Sequence, residues 1–288
     1  MPIHHQLSLR GLSFHVTEWA PGAAPRFPVL LLHGFADTGA TWGAVAQALA
    51  AAGYPVFAPD LRGFGQSGWV GAGGYYHFPD YVADIDALVR ALDLGSFALV
   101  GHSMGGTVAT LYAGTRPENI RFLSLLEGLG PPDSDPAHTP DRFVRWLSDV
   151  ADGGRGRQRS MSLPEALERL ERQHPGVPRA ALEARLPDLL HQESPGVFRW
   201  HLDPLHRTTA PYPFFAATYT AFASRIKCPV LLLDGGADGF HPPDEEARIA
   251  AFPRHLARSI EGAGHMMHWT RPDDVARELL GALAEVPR

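Results

Sequence analysis

Short, almost uninterrupted apolar runs are the feature that most narrows what this chain can become. Val29-Leu30-Leu31-Leu32, Pro55-Val56-Phe57-Ala58, Phe97-Ala98-Leu99-Val100, Phe122-Leu123-Ser124-Leu125-Leu126 and Val230-Leu231-Leu232-Leu233 recur between stretches of helical spacing. A strand that is apolar throughout has to be covered on both faces, as the strands of a parallel sheet are. The segments between the runs supply that cover. Val82, Ile85, Leu88, Val89 and Leu92 fall on one face of a helix expected over residues 79–94, and Val45 and Leu49, with the alanines around them, mark another. Ahead of the first run, Leu7, Leu9, Leu12, Phe14 and Val16 alternate around Arg10-Gly11, which predicts an antiparallel hairpin. Strand and helix alternating along most of the chain predict a doubly wound α/β sheet.

The alternation breaks once, over residues 130–223. That stretch holds Pro131-Pro132, a Gly153-Gly154-Arg155-Gly156 loop and helical spacing over 163–173 and 179–191, but no run that reads as a strand. It is expected to be a helical cap (130–223) set on a core domain made of residues 1–129 and 224–288.

Composition excludes several classes of function. The 25 basic and 31 acidic side chains give a formal charge of −6, and the basic ones form no long block. Nucleic acid is therefore not an expected partner, and Arg155, Arg157 and Arg159 read as a solvated loop. The single cysteine, Cys228, cannot form an internal disulfide and enters an apolar run, so it reads as a core residue in a reducing compartment. Met1-Pro2-Ile3-His4-His5 does not resemble a leader, and no apolar stretch approaches the roughly 20 residues that span a bilayer. The expectation is a cytoplasmic protein with no membrane partner, a monomer or homodimer. Lys227 is the one lysine among the basic residues, and Ala, Gly and Pro are abundant, as in proteins from GC-rich bacterial genomes.

The strongest chemical signal is Gly101-His102-Ser103-Met104-Gly105-Gly106, directly after the run ending at Val100 and before the helical stretch 107–113. A G-x-S-x-G in strand-turn-helix context is a nucleophile elbow, in which small residues two positions either side of the serine let strand and helix approach. A serine hydroxyl needs a base, itself oriented by a carboxylate. Among 15 histidines, His265 in Gly262-Ala263-Gly264-His265 stands on a short loop after an expected last strand (256–260) and before a helix opened by Pro272. His268 is the runner-up, more at home packing with Met266, Met267 and Trp269. For the acid, Asp238 follows the penultimate strand by a glycine turn and is the first choice; Glu127, ending the strand before it, is the alternative. Both keep the order Ser, acid, His. Asp234 reads as structural. Backbone N–H groups of Phe35 and Met104 are the expected oxyanion donors, with His33 a structural residue.

Taken together, His33 to Trp42, Asp60-Leu61-Arg62-Gly63-Phe64-Gly65-Gln66-Ser67, the Ser103 elbow, Asp238 and His265 resemble the α/β-hydrolase superfamily over nearly the whole chain outside the insertion. The resemblance implies an eight-stranded, mostly parallel sheet flanked by helices, a Ser-His-Asp triad and a helical cap after the sixth strand. Within it, Phe198 to Arg207 and Leu126 to Gly130 are similar to the serine-hydrolase-like proteins. Haloalkane dehalogenases and epoxide hydrolases of this fold resemble one another in using an aspartate where this chain has Ser103. The Asp60–Ser67 loop reads as structural, with Arg62 paired internally.

No His-Glu-x-x-His helix and no cysteine set is present, so no metal is expected; no G-x-G-x-x-G follows the first parallel run, so no nucleotide cofactor is expected either. Aromatic residues concentrate in the cap, and Trp146, Trp200, Tyr212 and Phe215 are the expected substrate-binding residues of a pocket for an apolar group. The expected activity is hydrolysis of small to medium apolar acyl or aryl esters through an acyl-enzyme on Ser103. The alternatives are a carbon–carbon bond hydrolase, a lactonase, a perhydrolase or a non-catalytic ligand-binding protein of the same fold.

Overall fold

The computed structural model describes residues 2–21, 25–71, 73–152 and 159–287. Strands β1 (Ile3–Leu9) and β2 (Leu12–Trp19) form the expected hairpin. Its two-residue turn, Arg10-Gly11, has both residues at positive φ, as the twist of a tight hairpin requires. The alternating part follows as β3 (Val29–Leu32), α1 (Gly43–Ala51), β4 (Val56–Pro59), α2 (Phe78–Ala91), β5 (Phe97–His102), α3 (Met104–Thr115) and β6 (Ile120–Leu126).

After β6 the chain leaves the sheet for α4 (Thr139–Ala151), α5 (Leu163–Gln173), α6 (Arg179–Leu189), β7 (Leu190–Ser194) and β8 (Val197–Trp200). It returns through α7 (Ala216–Ala223), β9 (Val230–Asp234), α8 (Glu245–Ala250), β10 (His255–Ser259), α9 (Met267–Thr270) and α10 (Pro272–Ala284). The main sheet has eight strands in the order β1-β2-β4-β3-β5-β6-β9-β10, parallel from β4 to β10 and antiparallel at the β1 and β2 edge.

The apolar runs are buried on both faces, as their composition requires. In β3, Val29 and Leu31 point to one layer with Trp42, Val45 and Leu279, while Leu30 and Leu32 point to the other with Ile85, Leu88, Val108 and Tyr112. Each such side chain contributes roughly 1.5–3 kcal/mol by leaving water.

The insertion departs from expectation in one respect. Residues 190–200 form an antiparallel hairpin, β7 with β8, where no strand reads from the sequence. β7 exposes His191, Gln192, Glu193 and Ser194, so no apolar alternation announces it; the turn depends on Gly196 at positive φ. The helix expected over 179–191 accordingly stops at Leu189. The basic loop expected at Gly153, Gly154, Arg155, Gly156 and Arg157 lies outside the described residues, and Arg159 is exposed.

Among the contacts that hold the cap beside the sheet, two lie close to the residues of the site. Leu167, Leu170, Leu182, Leu186 and Leu189 build a small core of their own that closes on Met266 and Trp269, next to His265. At the stem, the fully buried Arg248 of α8 donates to the carbonyls of Leu129, Gly130 and Pro131 at 2.9, 3.1 and 2.8 Å and pairs with Asp244 at 2.7 Å.

Candidate active site

Ser103 stands between β5 and α3 at φ 51 and ψ −117, a conformation that a non-glycine residue holds only when its surroundings impose it. Its N–H donates to Leu126 O at 2.9 Å, and its own carbonyl accepts from Gly106 and Thr107 at 2.9 and 3.1 Å. The turn is possible because backbone touches backbone on either side of it. A Cβ on Gly101 would collide with the Gly105 carbonyl, and one on Gly105 with the carbonyls of Leu32 and His33. Gly105→Ala is therefore expected to destabilise the fold by about 1–3 kcal/mol or more, read as a lowered urea midpoint, since β3 cannot retreat as a flexible side chain could.

His265 reaches the elbow from the loop after β10, its Nε2 3.0 Å from Ser103 Oγ. Its Nδ1 is 3.4 Å from Oε2 of Glu127, a long but aligned contact. Glu127 directly follows β6 at φ 50, and its side chain is completely buried. The carboxylate is held by backbone donors, Gly235 N–H at 2.5 Å on Oε1 and Phe240 N–H on Oε2. In this arrangement Nδ1–H points at the carboxylate and Nε2 accepts from the serine. Asp238 takes a different position from the one expected of it. It sits on the 235–240 turn that donates to Glu127, but its own side chain is exposed and makes no hydrogen bond to the imidazole. The glycine turn after β9 serves the carboxylate of the neighbouring strand with its N–H groups.

The family profile described as alpha/beta hydrolase fold matches residues 28–272, which takes in the sheet from β3 onward, the elbow, Glu127 and His265. The chain belongs to the alpha/beta hydrolase family. Among curated relatives it is 34% identical over 134 residues to a serine hydrolase-like protein of Danio rerio, covering 46% of this chain and 39% of that protein. It is 38% identical over 117 residues to an epoxide hydrolase of Caballeronia sordidicola, covering 41% and 34%. These matches span about a third to two fifths of the relatives' lengths. Among solved structures, a hypothetical protein from Pseudomonas aeruginosa PAO1 aligns over 98% of this chain and 99% of its own at 27% identity, with a TM-score of 0.88. A thioesterase domain from the curacin biosynthetic pathway aligns over 97% and 99% at 25% identity, with a TM-score of 0.82.

In this alpha/beta hydrolase the expected oxyanion donors lie next to the serine. Met104 N–H opens α3, and Phe35 follows Gly34, whose missing Cβ would come 3.2 Å from Ser103 Cβ. Neither N–H has a backbone acceptor among the described residues. Phe35 and Phe240 keep their rings half-exposed, and that of Phe240 lies edge-on to His265 at 6.4 Å. Phe240 was missed from the sequence; its only signal is an apolar residue two positions after Asp238. The four cap aromatics are more dispersed. Trp146 packs with Tyr75 and Phe143, Tyr212 sits on Phe143 and is 72% exposed, Trp200 bridges the cap core and the main core, and Phe215 caps α7.

Behind the site lies a buried polar layer. His268 Nε2 bonds Asp37 Oδ2 at 2.9 Å, both residues inaccessible. Burial alone would raise the Asp37 carboxyl, but the His268 hydrogen bond and charge hold it below its ordinary range. His33 Nε2 accepts from Leu61 N–H at 2.9 Å, and burial keeps its ring below the usual imidazole value. Asp234 accepts from Gly236 N–H and Ser259, and Arg62 pairs with Asp84, both as structural groups. Asp37, His102 and His268 bring three potential ligand atoms within 4.8 Å of one another. The Nε2 atoms of both rings are engaged in hydrogen bonds, while their Nδ1 atoms are buried without a partner among the described residues.

His206 gives the molecule a measurable acid sensitivity. Its ring is stacked between Tyr76 and Phe64, with centroids 3.7 and 4.1 Å away, and burial pushes it down to about 3. An unfolded chain binds that proton near pH 6.5 and the native chain only near 3. The neutral ring's contribution to stability is thus whole above pH 6.5 and is lost as pH falls towards 3, by up to about 1.4 kcal/mol per pH unit. Thermal melts from pH 7 down to 4.5 should show a steadily falling Tm, and His206→Leu should flatten that slope.

Proposed function

We propose that this hydrolase cleaves carboxylic esters with small to medium apolar acyl or aryl groups through an acyl-enzyme on Ser103. The observation that carries the reading is the 3.0 Å contact between Ser103 Oγ and His265 Nε2 at a strained strand-to-helix turn, with a buried carboxylate behind the imidazole. Oγ attacks the ester carbonyl while its proton passes to Nε2. The oxyanion is received by the N–H groups of Phe35 and Met104, each a donor worth roughly 10²–10³ in rate. The imidazolium, stabilised by Glu127, returns its proton to the departing alkoxide, which leaves as the alcohol. Water then gives a proton to Nε2 as its oxygen attacks the acyl group, and the proton goes back to Oγ as the acid is released. Phe35 and Phe240 supply apolar surface beside the reacting carbon, which supports an apolar acyl or aryl group over a charged one. No helix among the described residues is long and apolar enough to cross a membrane.

Thioester hydrolysis is a second reading, favoured by the likeness to the curacin thioesterase domain, since the same acyl-enzyme serves either leaving group. An alkyl-enzyme route of the kind that needs a carboxylate nucleophile is not supported, because the elbow carries a hydroxyl. The test is labelling with a fluorophosphonate, read as one adduct on Ser103 by peptide mass, followed by matched oxygen ester and thioester panels of graded acyl length. Labelling without turnover of any member would favour a ligand-binding protein that kept its serine.

A further inference from the structure

The residue before the nucleophile is unaccounted for by the acyl-enzyme chemistry. His102, the last residue of β5, is fully buried, and its Nε2 lies 2.8 Å from the main-chain carbonyl of His265. That carbonyl accepts from no backbone N–H among the described residues, so His102 is its hydrogen-bond partner. The loop needs such an anchor. His265 follows Gly262 and Gly264, both at positive φ, and the preceding loop is tied by Ala263 N–H to Ile260 O at 3.1 Å, Gly264 N–H to Gly235 O at 3.0 Å and Thr270 Oγ1 to Ala263 O at 2.7 Å, none of which holds the His265 peptide itself.

We infer that His102 is a positioning residue, whose Nε2–H holds the His265 backbone so that the imidazole stays within reach of Ser103 Oγ. This rests on the acyl-enzyme reading of the site. Since a carbonyl can only accept, Nε2 carries the hydrogen, and Nδ1 is left as a buried lone pair with no partner. A buried polar atom without a partner is costly, and an apolar side chain of the same shape would avoid that cost. Gly34 lies directly against Nδ1, where a Cβ would come within 2.7 Å. Burial, with His268 and His265 as neighbours, keeps the ring well below the usual imidazole value, so it remains the neutral donor when His265 becomes cationic 4.9 Å away. Because His102 and Ser103 are consecutive, nucleophile and base are tied through one strand end.

Glutamine can bring an amide N–H to the place of Nε2, while asparagine is too short and leucine has no donor. On the best ester of the panel, His102→Leu and His102→Asn are expected to lower kcat by about 10–100-fold, in the range that a misplacement of about 1 Å costs. KM should stay within about twofold, since the residue is screened from substrate. His102→Gln should recover most of kcat, and fluorophosphonate labelling rates should follow the same order. Should leucine prevent folding, the glutamine and asparagine pair, each checked by thermal melt, carries the same contrast. Equal kcat in wild type, Gln and Asn, or a loss confined to KM, overturns the positioning role alone. A wild type that neither labels nor turns over overturns the acyl-enzyme reading along with it.

Discussion

Glu127→Gln is expected to lower kcat on an ester by about 10⁴-fold, while Asp238→Asn leaves it within about threefold. The amide is isosteric but turns a donor towards Nδ1 or loses charge there. It thus favours the wrong imidazole tautomer and withdraws the charge that stabilises the imidazolium, a change that costs about 10⁴ in a serine protease. Geometry selects Glu127 for this effect: its carboxylate is buried, received by two backbone N–H groups and 3.4 Å from Nδ1. Asp238 is exposed on the neighbouring turn, with no hydrogen bond to the imidazole. Steady-state kinetics on both single variants and the double, with a melt for each, decide the matter. A collapse in Asp238→Asn with near-normal turnover in Glu127→Gln would return the acid to the turn after β9.

Ser103→Ala is expected to lose on the order of 10⁶ in kcat, as removal of a triad serine does elsewhere, and to abolish fluorophosphonate labelling. Stability should hold or rise, because alanine loses little burial and, among the described residues, the hydroxyl contributes no hydrogen bond beyond that with His265. His265→Ala should fall nearly as far. His268→Ala should keep more turnover but melt earlier, since it leaves Asp37 buried without its partner. Turnover well above background in Ser103→Ala would remove the hydroxyl from the reaction.

What the sequence made legible follows from how local each signal is. The sheet could be read because wholly apolar runs such as Val29–Leu32 have one physical use, and the hairpin at Arg10-Gly11 because turn and alternation occupy adjacent residues. Ser103 and His265 could be put together because the small residues around one and the loop position of the other are written in a few neighbouring letters. Asp238 and Glu127 could not be ranked in that way. Both follow strands and both precede the histidine; what separates them is the pairing of β6 with β9, where Glu127 N–H bonds Leu233 O at 2.9 Å and the next turn folds over the carboxylate. That contact joins residues 106 apart in sequence, beyond the reach of any local pattern. The β7–β8 hairpin was hidden for another reason: its outward residues are polar, and its pairing makes no use of the apolar period. The rings beside the serine, Phe35 and Phe240, belong to core loops, whereas aromatic content pointed to the cap.

The Arg248 clamp bears on how substrate traffic relates to chemistry. Residues 127–131 are gripped at both ends, by Leu233 and the two N–H donors at Glu127 and by the guanidinium at Leu129, Gly130 and Pro131. The far side is gripped too, since Ala216 N–H bonds Asp133 at 2.7 Å where the cap rejoins the core. A swinging cap must then pivot beyond Asp133, on a rigid pedestal that also carries the carboxylate. The base has no such pedestal, because Leu167, Leu170, Leu182, Leu186 and Leu189 close on Met266 and Trp269 around His265, so grafting a different chain between residues 134 and 215 should disturb the histidine loop while leaving the seat of the Glu127 carboxylate in place.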